Sequence, residues 1–292
     1  MFGHRHDGKL LKKIDPIIAL TPYIMPMRCD AQVFLDLKFS FDKMSRYITE
    51  KSAEGHRLSF MMIIMAAYAR VVSQIPEVNR FIANKRIYAR TELTVSFVLL
   101  QDTGDGTISE NTVKVWFDPT DTIFDVEKRV QKIIDEARKV EADNSTMKVA
   151  KLLLHPILAN PIVALARFLD RYGLMPNYIL NASPFHTGLF VTNVSSIGLP
   201  AVKHHIYNFG TTSAFLSMGL PERRTSVKNG QTVRERFMPI GVTVDERIAE
   251  GAVYAKFQQM MVYYTGHPEE LELPPEKVYF EENNEYHCPK PE

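Results

Sequence analysis

Pro239-Ile-Gly-Val-Thr-Val-Asp-Glu-Arg-Ile-Ala-Glu-Gly-Ala-Val-Tyr-Ala-Lys-Phe257 packs a strand, a charged turn and the start of a helix into one short run. The β-branched, alternating residues predict a strand from Phe237 to Asp245. The turn carries Asp245, Glu246, Arg247 and Glu250 and ends at Gly251. Ala252 to Tyr264 then predicts the last helix, closed by Gly266.

Working outward from this stretch, strands and helices are interspersed. Upstream, Phe190 to Val194 and Ala214 to Met218 predict strands, separated by the loop Ser195 to Pro200 and the segment Lys203 to Gly210. Ala150 to Leu180 is apolar and broken by Pro156, Pro161 and Pro176, which predicts two short helices. Thr122 is placed to cap an amphipathic helix with Val126, Val130, Ile133, Ile134 and Ala137 on one face. Thr112 to Phe117, Thr91 to Leu100 and Arg86 to Ala89 read as strands. Ser59 is placed to cap an apolar helix from Phe60 to Gln74 that Pro76 ends. Before it come a helix from Phe41 to Glu54 and a strand from Gln32 to Phe39. The fold class expected is α/β, with a mixed central sheet and flanking helices in a single domain over residues 23–273. Residues 1–22 read as an N-terminal extension, 142–184 as an atypical apolar helical insert and 274–292 as an acidic tail.

The totals narrow the function classes. Net charge over 292 residues is +1, so no nucleic acid or anionic membrane is expected as the main partner. Cys29 and Cys288 are too few for a disulfide framework or a four-cysteine zinc site, which fits a cytoplasmic location. The apolar run Leu152 to Ala166 is too short and too interrupted to span a bilayer. No Gly-rich phosphate loop or His-Glu-x-x-His signature occurs. His4, His6 and Asp7 have no matching second cluster, so no metal is expected.

The run from Pro239 to Phe257 resembles the signature of the dihydrolipoyl acyltransferases of 2-oxo acid dehydrogenase complexes. In that family a strand ends in Asp-His-Arg, two apolar residues follow, then Asp-Gly-Ala and a helix reaching Ala-x-Phe. Chloramphenicol acetyltransferase has a related His-x-x-x-Asp-Gly. Here Asp245, Arg247, Ile248, Gly251, Ala252 and Phe257 keep the frame, while Glu246 stands for the histidine and Glu250 for the aspartate. Pro76-Glu-Val-Asn79 resembles the family's turn after its apolar helix. Thr192-Asn-Val-Ser-Ser-Ile-Gly198 resembles the loop that bears its oxyanion-stabilising serine, which makes Ser195 that serine.

The resemblance implies a chloramphenicol acetyltransferase-like fold and a homotrimer with its active site in a channel between subunits. It implies coenzyme A or an acyl-CoA as cosubstrate and a small-molecule acceptor; with no lipoyl domain read in the sequence, no lipoyl group is expected on this chain. In the family a histidine takes the thiol proton, and the serine hydroxyl supports the tetrahedral oxyanion. The aspartate four residues on braces the site against an arginine; Arg28 is placed to fill that role and pair with Glu250. Arg247 and Gly251 complete the support.

The change from histidine to glutamate weakens the base. Proton transfer from a thiol costs roughly 3 kcal/mol to histidine and roughly 6 kcal/mol to an ordinary glutamate. Burial would restore part of that difference; a surface or salt-bridged carboxylate would not. His204 and His205 are candidates for a relocated base, or are ordinary packing residues. Ser195 is an oxyanion donor, or a turn serine bonding its own backbone. His186 reads as a loop residue. Two functions remain open: acyl transfer to a small thiol or hydroxyl acceptor, and an inactive trimeric relative that binds a ligand or acts as a scaffold. Chloramphenicol acetylation itself is disfavoured by the missing histidine.

Overall fold

The computed structural model describes residues 5–102, 108–140, 156–228 and 231–282, together with 284 and 286–288. Its core is a mixed seven-stranded sheet in the order β2-β10-β8-β7-β5-β6, with β9 paired to β10. The strands are β2 (Gln32–Ser40), β5 (Leu93–Asp102), β6 (Ile108–Phe117), β7 (Leu189–Asn193), β8 (Ala214–Met218), β9 (Glu222–Lys228) and β10 (Gln231–Asp245). β7 runs parallel to both β5 and β8, and the remaining pairs are antiparallel. A three-stranded sheet joins β1 (Gly8–Leu10), β4 (Arg86–Arg90) and β3 (Arg80–Ala83). The expected class and mixed sheet are therefore present. β1, β3 and β9 were not expected: β1 and β3 are short, and β9 is rich in charge, so none carries a clear apolar alternation.

Helices α2 (Phe41–Ala53), α3 (Phe60–Gln74), α4 (Ile123–Val140) and α7 (Gly251–Gly266) contribute to the main core against the sheet. α3 is buried on every side from Met62 to Ser73, so its sequence is apolar all round rather than striped. Its first turn is held by Ser59 Oγ, which accepts from Met62 N at 3.3 Å. Thr122 and Asp125 cap α4 reciprocally: Asp125 N donates to Thr122 Oγ1 at 3.3 Å and Thr122 N to Asp125 Oδ2 at 2.9 Å. The other face of the sheet carries a smaller cluster of Phe190, Ile206 and Phe215.

The apolar insert forms one long helix and one short one. α5 (Pro156–Arg171) continues through Pro161, and α6 (Asn177–Ala182) follows; residues 142–155 of the insert lie outside the described residues. The buried Lys114 ties α6 to β6, donating to Leu180 O at 2.8 Å. Burial pushes its ammonium down to about 8. The tail is laid along the core: Tyr279 N donates to Ser73 O at 2.8 Å and His287 N to Thr91 O at 2.7 Å.

Phe97 sits in β5 between Val113 and Val191 and is fully buried. Phe97→Ala should lower unfolding stability by ~3–5 kcal/mol, read as a shift of the urea midpoint at unchanged slope.

Candidate active site

The strand β10 delivers Asp245 to the interior, where it is 1% exposed. Arg247 folds back on it in a bidentate pair, Nε to Oδ1 at 2.7 Å and a terminal nitrogen to Oδ2 at 2.6 Å. Arg28, from the short helical turn Arg28–Ala31, brings its Nε to 3.5 Å from Asp245 Oδ2. Both guanidinium groups are nearly sealed from solvent, at 5% and 2% exposure. Burial pushes the Arg28 guanidinium below its ordinary value, and Asp245 opposes that.

The two arginines spend their remaining donors on main chain. Arg28 reaches Tyr207 O at 2.5 Å and Gly210 O at 3.0 Å, and Arg247 reaches Met25 O at 2.9 Å. Asn208 Oδ1 accepts from Arg28 N at 2.8 Å. Gly210 has φ +80°, and a Cβ there would lie 2.2 Å from Phe185 O, so no other residue fits that turn without movement. The trio therefore joins three segments: the turn after β10, residues 25–32 and the loop 206–210.

The expected pairing of Arg28 with Glu250 does not form; Arg28 is engaged with Asp245 instead. The carboxylate one residue before Glu246 lies on the buried side of the turn, and the one four residues after Glu246 lies outside. Glu246 and Glu250 are both exposed, and Gly251 faces open space. Glu246 N donates to Ala31 O at 2.9 Å, so its backbone is fixed while its side chain is free to meet a partner.

Ser195 lies in the short helical turn Val194–Ile197, directly after β7. Its hydroxyl donates to Asn193 Oδ1 at 2.5 Å. Val244, Ala214 and Leu189 sit side by side at one end of the sheet, and Ile240, Met218 and Asn193 at the other. The two rows lie roughly 13 Å apart at the rise of a strand, and Glu246 extends past the first while Ser195 extends past the second in the opposite direction. One chain thus does not bring these two residues together.

His204 and His205 are not placed beside either. The His204 ring stacks on Phe215 at 4.2 Å and on His205 at 4.7 Å, and its Nδ1 lies 2.6 Å from His205 O. The pair covers the smaller apolar cluster. His186 is a loop residue, but a buried one at 2% exposure. Its Nδ1 is 2.7 Å from Ser183 Oγ and its Nε2 is 3.3 Å from Asp170 Oδ1. Asp170 also accepts from Arg5 at 2.6 Å, and Arg5 pairs with Asp7 at 2.8 Å. Burial alone would raise the Asp170 carboxyl; the facing His186 and Arg5 outweigh it and hold the group at about 2. This network fastens α5 to the start of the chain. It was not visible in sequence, because Arg5 and its partner Asp170 lie 165 residues apart. Among the described residues no metal-binding cluster occurs; His4 lies outside them.

Two outcomes follow from these ion pairs. Asp245→Asn leaves two buried guanidinium groups without a counter-charge and should cost ~3–5 kcal/mol of stability, whereas Glu246→Gln should stay within ~0.5 kcal/mol. Thermal unfolding of the two variants at pH 7 compares them. Asp170 titrates lower when folded than its ordinary value, so its stabilisation is complete above that value and fades as the pH falls toward about 2. The stability gap between the native chain and Asp170→Asn should therefore be flat from pH 7 to about 4 and narrow between about pH 4 and 2.

Residues 180–273 match the family model for the 2-oxoacid dehydrogenases acyltransferase (catalytic domain). No curated protein sequence matches the chain. Among solved structures, a probable dihydrolipoamide acetyltransferase from Listeria monocytogenes is 14% identical, with 92% of this chain and 98% of that one covered and a TM-score of 0.52. The dihydrolipoamide acetyltransferase of Azotobacter vinelandii is 13% identical over 91% and 95%, with a TM-score of 0.53. A chloramphenicol acetyltransferase is 11% identical over 88% and 99%, with a TM-score of 0.53. At these identities the structures establish a shared fold. By the match over residues 180–273 and by fold over most of its length, the chain is similar to the acyltransferase catalytic domains of the 2-oxoacid dehydrogenases.

Proposed function

We propose that the protein transfers an acyl group from coenzyme A to a small thiol or hydroxyl acceptor, at a site shared by two copies within a homotrimer. The observation that carries this reading is the clamp at Asp245. It holds residue 246 outward at the end of β10, where the resemblance puts the base, while Ser195 lies at the opposite end of the sheet. Two such edges from neighbouring copies make one channel.

In that channel the acceptor S–H or O–H loses its proton to the Glu246 carboxylate as its sulfur or oxygen attacks the thioester carbon. The oxyanion formed on the carbonyl oxygen takes a hydrogen bond from Ser195 of the other copy. Collapse expels the coenzyme A thiolate, and Glu246 returns the proton to it. Ser195 must release Asn193 to act as this donor, a rotation about one side-chain bond. Closure of the channel by the second copy would desolvate Glu246 and strengthen it as a base. Glu250, His204 and His205 are outside this scheme; a cytoplasmic location and the absence of a lipoyl group are part of it.

A second reading has its own support. Glu246 is exposed in the single chain and makes no ion pair among the described residues, as expected for a relative that keeps the channel for binding or assembly without catalysis.

Acetyl-CoA incubated with thiol, hydroxyl and amine acceptors separates the two. Release of free thiol that falls to background in Glu246→Gln and drops at least about a hundredfold in Ser195→Ala supports transfer. Sedimentation should give a trimer. A trimer with neither turnover nor coenzyme A binding supports the second reading.

A further inference from the structure

A cavity of about 500 Å³ opens between α5, the turn joining β3 to β4, and the loop 208–210. Arg28, Lys85, Arg167, Arg171 and Arg247 line it, against the single carboxylate of Asp170. The charges behind these groups do not cancel them. Arg28 and Arg247 share one carboxylate, Asp245, which leaves the floor with an excess positive charge. Asp170 shares Arg5 with Asp7 and also faces His186, so its charge is partly met from behind the cavity. Arg171 Nε donates to a neutral partner, Asn84 Oδ1, at 2.9 Å. Lys85 Nζ lies 5.4 Å from the Tyr23 ring centre, again a contact without negative charge. Arg167 makes no ion pair among the described residues.

Two features show that this concentration of charge is held at a cost. Arg167 and Arg171 stand one turn apart on the same helix face, where like charges repel. Asn84 and Lys85 form a two-residue hairpin turn with φ of 47° and 59°. That turn favours glycine at its second position, and a lysine there pays for left-handed backbone. Both residues of this left-handed turn line the cavity.

We infer that this cavity is an anion site for a small molecule carrying two or more phosphate groups. Its volume suits a ligand of metabolite size. Guanidinium groups grip phosphate oxygens in pairs, and a lysine adds a point charge. Met27 and Ile82 offer apolar surface to the uncharged part. The site uses residues of the insert and of the β3–β4 turn, so it stands whether or not Glu246 acts as a base. A free polyphosphate compound and a phosphate-bearing thioester share this chemistry.

Inorganic triphosphate is the probe, titrated calorimetrically into the full-length protein at low salt. One saturable site per chain is expected. The double variant Arg167→Glu/Arg171→Glu changes exposed side chains and should weaken binding at least tenfold. Lys85→Gly should weaken it severalfold while leaving the melting temperature unchanged or higher, because glycine relieves the turn; a structural role for Lys85 would lower it. Lys128→Glu, on α4, should leave binding unaltered. Absence of saturable binding, or binding insensitive to both cavity variants, overturns the inference. Displacement of triphosphate by coenzyme A but not by pantetheine supports the site with a thioester source, and displacement by nucleoside triphosphates alone supports it with a free one. Thiol release from acetyl-pantetheine, which lacks phosphate, tests the acyl-transfer reading separately.

Discussion

Two buried guanidinium groups share the Asp245 carboxylate, and the position of residue 246 depends on that sharing. Removing these charges from water is expensive, and a buried ion cluster persists only when its remaining donors are satisfied. Here the terminal guanidinium nitrogens not on Asp245 end on carbonyls of Met25, Tyr207 and Gly210, while Arg28 Nε has only its 3.5 Å ion pair to Asp245. The cluster thus draws together pieces of chain that no secondary structure would join. It also sets what the turn after β10 exposes: Asp245 and Arg247 point inward, so Glu246 between them points outward.

The same logic operates at the start of the chain. Arg5, Asp7 and Asp170 form a second buried network that ties β1 and α5 together. Arg90 lies near it, donating to Thr211 O at 2.8 Å and packing against Phe81. These polar networks flank the cationic cavity, and the helices and sheet supply the rigid frame around them. Burial of α3 on all sides gives that frame its stiffness.

Much of the fold was legible because local rules and global packing agree. α3 starts at Ser59 and ends before Pro76 as its cap and its proline dictate. β10 and α7 follow from the change of apolar period across the charged turn. Where the agreement is weaker, reading failed. β1 and β3 are too short for alternation to show, and β9, which pairs with β10 at the sheet edge, is rich in charge. In the insert, Pro156–Arg171 forms one helix that continues through Pro161, followed by the short Asn177–Ala182 helix.

The amino-acid sequence by itself determined the fold class and the strand-turn-helix around Asp245. Those are properties of period, spacing and residue type, which are written locally. Only the tertiary structure decided that Arg28 meets Asp245 rather than Glu250, that His186 is buried against Asp170, and that Ser195 and Glu246 of one chain stand at opposite ends of the sheet. Each depends on strand order and on pairs up to 217 residues apart, because Coulomb attraction and desolvation act through space and leave no periodic trace along the chain.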